Sequence, residues 1–140
     1  MEWKFSPQGI PPMSFIAFVL VAKILVTAIL ITVPFLFLPA ARLANSTGAG
    51  VGGATLFRLY GIAIAALLVG YSSGFWLIAR GEFPWGVVAM GLVSNAGAAT
   101  VMFASGAWRK AKPITFFIAG IALLLAGAAA IPQQAMHPFW

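Results

Sequence analysis

The chain has 140 residues, 62% of them hydrophobic and 7% charged, against roughly 45–50% and 25% in soluble domains. Its formal charge is +6, from eight Lys and Arg against two acids, and it has no cysteine. Disulfides, thiolate metal sites and thiol nucleophiles are therefore excluded. The basic excess does not point to nucleic acid, because Arg109, Lys110 and Lys112 crowd one gap between apolar runs, where charge sets membrane topology.

Four apolar stretches fill most of the chain: Met13–Leu38, Leu56–Ile78, Trp85–Ala104 and Ile114–Ile131. A helix of about 20 apolar residues crosses a hydrocarbon core about 30 Å thick. With no water in that core, backbone amides must be satisfied within each segment, so each stretch is predicted to be a helix. The expected fold class is all-α, a four-transmembrane-helix bundle. Residues 1–140 read as one integral membrane domain with no soluble module at either end. A cleaved signal peptide does not fit, since Lys4 alone forms the basic region and the first apolar run is too long.

Residues Met1–Pro12 are polar and aromatic, with Trp3 and Phe5 as expected headgroup-level anchors. The first span carries Lys23 inside it and Pro34 near its end, and the proline is expected to kink the helix. Residues Ala40–Thr55 form the longest connection and are rich in turn-favouring residues. Within it Gly48, Gly50 and Gly53 match the letters GxGxxG, but a dinucleotide fingerprint needs a preceding strand, so a surface loop is the expected reading. The second span closes near Arg80, and the tight turn Gly81-Glu82-Phe83-Pro84, flanked by Trp76 and Trp85, leads to the third. The third span ends at Trp108-Arg109-Lys110. Pro113 suits the first turn of the fourth span, and Pro132 closes it before the tail that holds His137.

Four spans put the N-terminal tail, the Glu82 turn and the C-terminal tail on one side, with Lys4 and Arg80. Arg42, Arg58, Arg109, Lys110 and Lys112 fall on the other side as boundary anchors. That excess marks the second side as cytoplasmic and leaves both termini outside. The expected location is a bacterial inner membrane.

Few residues can carry chemistry. Lys23 lies ten residues, about 15 Å, beyond Met13, where an ionisable group is a functional hypothesis by default. The first apolar run is longer than a span requires, however, which favours a snorkelling lysine. Asn95 sits at the same nominal depth in a parallel helix, so it can bond Lys23 or another helix as interhelical glue, or contact a ligand. Small residues recur at steps of three and four: Gly61, Ala65 and Ser72 on the second span; Gly91, Asn95 and Ala98 on the third; Gly120 and Gly127 on the fourth. These are expected to be packing stripes, inside the bundle or against another subunit. His137, the only histidine, could ligate a haem iron or a magnesium, but lies beyond the last span with no second ligand near it in sequence; no metal site is expected. Glu82, beside Arg80, reads as an exposed ion pair.

The stretch Leu38-Pro39-Ala40, then Leu56-Phe57-Arg58-Leu59-Tyr60-Gly61, followed by a short turn and two more spans, resembles the small four-helix DoxX-like membrane proteins. The resemblance covers roughly Lys23 to Ile131, and Arg58 is similar to the basic residue that opens the second helix in many of them. It implies a four-helix membrane fold and, through some members, a link to respiratory or redox complexes. It supplies no catalytic residues.

The leading functional expectation is a non-enzymatic membrane subunit or accessory protein that docks by helix packing in a larger complex, photosynthetic or respiratory. The alternative is a binding protein or enzyme for a lipophilic small molecule, with a pocket near Lys23, Tyr71, Ser72 and Asn95. A transporter is disfavoured by the lack of acids within the spans. Expected partners are membrane lipids and other membrane subunits or a second copy of the chain, with no nucleic acid. A bound lipid or pigment is compatible with the sequence, and no cofactor is specified by it.

Overall fold

A computed structural model of the protein describes residues 13–47 and 53–139. The tail Met1–Pro12 with its expected anchors Trp3 and Phe5, residues 48–52 of the GxGxxG stretch, and Trp140 lie outside the described residues. Every element among those described is helical. Four helices are long and apolar enough to cross a membrane: α1 (Phe15–Phe37), α3 (Ala54–Ala79), α4 (Trp85–Ala104) and α5 (Lys112–Ala130). A short helix α2 (Ala40–Thr47) links α1 to α3, and another, α6 (Pro132–Met136), follows α5. The protein is an integral membrane helix bundle.

Helix α1 starts at Ser14, whose hydroxyl accepts from the Ala17 amide at 3.4 Å as an N-cap. It is not α-helical throughout, because Ala28–Thr32 form a π-helical turn. The cause lies just beyond it. Pro34 has no amide to donate and its ring crowds the carbonyl one turn back. Widening the preceding turn absorbs both effects, and the Val33 amide donates to Ala28 O, five residues back.

One sequence expectation is corrected by the structure. Ala40–Thr47, read as part of a loop, is helical, because Leu43 and Ala44 are buried against the bundle while Arg42 and Asn45 face outward. An apolar face at helical spacing outweighs the turn preference of Asn45 and its neighbours. Pro132 closes the fourth span as expected, α5 ending at Ala130, and it also opens a short helix that the sequence did not indicate, standing in the first turn of α6. That helix folds the chain back onto the start of α1. Ala135 is buried with Ile16, and the Phe139 amide donates to Met13 O at 3.1 Å.

The turns use glycine where the backbone demands it. Gly81 and Gly106 both have φ of 74°, a left-handed conformation open to residues without a Cβ. Helices α4 and α5 share the most extensive contact in the fold, whereas α3 and α4 touch over a short stretch. One buried cluster joins Ile16, Val19, Val88, Ile121, Leu125 and Ala128, and a second joins Leu20, Tyr71 and Val87. The space left between α3 and α4 holds the polar residues.

Candidate functional site

Lys23, Tyr71 and Asn95 come from three different helices and meet inside the bundle. Lys23 is eight residues from the start of α1, Asn95 ten from the start of α4, and Tyr71 eight from the end of antiparallel α3. All three therefore sit about 12–15 Å in from the same end. The Lys23 ammonium donates to Asn95 Oδ1 at 2.6 Å. Asn95 Nδ2 donates to Gly91 O at 2.7 Å and to Tyr71 Oη at 3.1 Å, and Tyr71 Oη lies 3.0 Å from Ser94 Oγ. Lys23 Nζ also stands 5.9 Å from the ring centres of both Tyr71 and Phe117.

This overturns the expectation that Lys23 snorkels. Lys23 is 7% exposed and Asn95 1%. The physical reason is local, because an amide oxygen and two aromatic faces surround the ammonium at its own depth. Such contacts stabilise a desolvated cation without an interface. Snorkelling is a solution only when the bundle offers nothing.

Gly91 makes this meeting geometrically feasible. A Cβ there would stand 2.5 Å from Leu125 Cδ1 and 3.2 Å from the Tyr71 hydroxyl. Leu125 is fully buried, so a Cβ at this position would force its side chain to repack within the core. Gly74, which the sequence does not single out, lets α1 approach α3 in the same way, with Leu20 Cδ1 at 2.9 Å from its notional Cβ.

Not every candidate joins the cluster. Ser72 is exposed and its hydroxyl donates to Leu68 O within its own helix at 2.9 Å. Ser94 is the serine at the site instead. Gly61 is buried against Leu36 and Phe35, and Ala98 is half-buried beside the polar cluster, while Ala65 is half-buried on α3. Gly120 and Gly127 face open space, with no atom within 4 Å of a notional Cβ at either position. Three participants escape the sequence reading: Thr27, Ser94 and Phe117. Thr27 had a signal, since it lies one helical turn from Lys23 on the same face.

A cavity of about 40 Å³ adjoins the cluster. Its polar wall is Lys23, Thr27, Tyr71, Ser94 and Asn95. Its apolar wall includes Ile31, Ile64 and Leu67 and reaches Tyr60, which is 49% exposed, so the space communicates with the outer surface of the bundle. Thr27 Oγ1 is buried without a hydrogen-bond partner among the described residues, as is Thr32 Oγ1 in the π-helical turn.

Arg58, read from the sequence as a boundary anchor, turns its guanidinium onto the end of α1. It donates to Phe35 O at 3.0 Å, to Leu38 O at 2.6 Å and to Leu36 O. The last carbonyls of a helix have no partners within it and carry partial negative charge, so a cation there is both cap and clasp. Arg42, Arg109, Lys110 and Lys112 are exposed.

At the other end Arg80 Nε lies 3.2 Å from Glu82 Oε1, and the Arg80 guanidinium stands 4.4 Å from the Trp76 ring centre. With both side chains about half exposed, that ion pair adds little stability. His137 is exposed, and among the described residues no group of three His, Asp or Glu could hold a metal ion. No protein-family model, curated protein or solved structure matches this chain.

Proposed function

We propose that this small membrane bundle binds a lipophilic small molecule in the space between α1, α3 and α4, with Lys23 as the anchoring group. One observation carries the reading: a lysine is buried at membrane depth, and no acid occurs in any span to balance it. Ionisable groups in that position are costly and mark ligand or ion sites more often than packing. The test is purification of the full chain from its native membrane in mild detergent, followed by mass spectrometry of bound small molecules. A stoichiometric lipophilic molecule that is lost in Lys23→Met supports the reading. A chain that carries no such molecule, in either form, opposes it.

A second reading, docking as an accessory subunit of a photosynthetic or respiratory membrane complex, is favoured by a different observation. Gly97, Gly120 and Gly127 leave flat outward faces on α4 and α5, and small residues let another helix approach closely in lipid. Gly120→Leu would then break assembly with defined partner subunits while leaving small-molecule content unchanged. The resemblance to DoxX-like proteins is compatible with both readings. The excess of Arg and Lys at the Arg58 end supports a bacterial inner-membrane orientation with that end cytoplasmic and both termini outside.

A further inference from the structure

Two protein groups at the intrabundle cavity lack the partners that their chemistry requires. A lysine ammonium has three N–H donors, and among the described residues Lys23 donates to Asn95 Oδ1 alone. The aromatic faces of Tyr71 and Phe117 stand beside it as well, and they attract a cation but carry no formal charge. The only acid among the described residues, Glu82, is engaged with Arg80 at an exposed turn. One helical turn along α1, Thr27 is 2% exposed, lines the same cavity, and leaves Oγ1 without a partner. Buried hydroxyls are bonded in the large majority of cases, and a buried cation without a counter-charge is strongly disfavoured.

Resting on the reading of this space as a ligand pocket, we propose that it receives the carboxylate head of a single-chain amphiphile, one oxygen accepting from Lys23 Nζ and the other from Thr27 Oγ1. The charge assignment follows from balance, because Lys23 supplies a cation within the bundle and no acid occurs in any span. Size follows from the cavity, whose 40 Å³ admits about three water-sized atoms. That suits a compact carboxylate better than a phosphodiester with its larger headgroup. The direction of the chain follows from the apolar wall. Ile31 on α1 and Ile64 on α3 continue from the polar end to half-exposed Tyr60. Tyr71 to Tyr60 is about 16 Å along α3, so a hydrocarbon tail runs along this wall towards the lipid. Asn95, Tyr71 and Ser94 hold Lys23 in place and do not themselves need the ligand to satisfy their bonds.

The test uses the full chain in nanodiscs, with empty nanodiscs subtracted. The probes are palmitate labelled with ¹³C at its carboxyl carbon, hexadecanol and decylubiquinone. Palmitate is expected to bind saturably at one per chain, with a carboxyl resonance distinct from that of lipid-dissolved palmitate. Lys23→Met should weaken it about tenfold or more, and Thr27→Val about threefold to tenfold. Thr27 bonds no protein group, so Thr27→Val should not lower the melting temperature, and its effect reports the ligand and not the fold. Palmitate binding that is absent, or unchanged by either substitution, overturns the proposal. If decylubiquinone binds in a Lys23-dependent way and palmitate does not, the carboxylate assignment fails while the pocket stands. If none of the three probes shows Lys23-dependent binding, both fail.

Discussion

Lys23 and Asn95 are unequal partners in their hydrogen bond. Replacing Lys23 by Met removes a buried charge along with its need for compensation, so the variant should be as stable as the parent or slightly more stable. Replacing Asn95 by Leu leaves the ammonium buried with its only hydrogen-bond acceptor among the described residues gone, which is the costlier change. A double-mutant cycle, followed by thermal unfolding in detergent, should return a coupling of about 0.6–2 kcal/mol. The double variant should be more stable than Asn95→Leu alone, and zero coupling would mean the bond is not made. The matching depth of these two residues is legible from their counts along parallel spans. The burial of Lys23 is not, because run length speaks only of its distance from the interface. What decides the matter is the set of acceptors at its own level, and Tyr71 and Phe117 reach it from elements far away in sequence.

Two contacts between elements fix where the helices stand. Gly91 sits where α4 meets both α3 and α5, and Gly91→Ala should cost about 1–3 kcal/mol, since fully buried Leu125 would have to repack to make room. The same change should displace the Tyr71 hydroxyl from Asn95, which a downfield-shift measurement on labelled tyrosine would detect. Arg58 clasps the end of α1 from the first turns of α3. Arg58→Met should lower stability by about 1–3 kcal/mol, with proteolysis between α1 and α3 rising in parallel. A purely interfacial arginine would show neither effect. Four spans were legible from hydropathy alone, to within two residues at either end, because lipid imposes a length on any helix that crosses it. Helix α2 was not, since its five-residue apolar pattern competes with a run of turn formers. The π-helical turn was legible only as a disturbance at Pro34. Sequence names the proline but not the widened turn that accommodates it.

Four membrane helices together enclose the cationic side chain of Lys23. The outward faces carry large exposed apolar side chains such as Ile29, Val69, Val93 and Leu123, and exposed Ser72, Ser73 and Thr100 bond carbonyls of their own helices, which together suits lipid. The basic residues Arg109, Lys110 and Lys112 are exposed at one end. The most direct measurement is amine acylation of the protein reconstituted in liposomes, with peptide mass spectrometry to read each lysine. Lys110 and Lys112 should react readily with a permeant reagent, while Lys23 stays unmodified until the bundle is unfolded. Acylation of Lys23 at the rate of Lys110 in the folded protein would contradict the account.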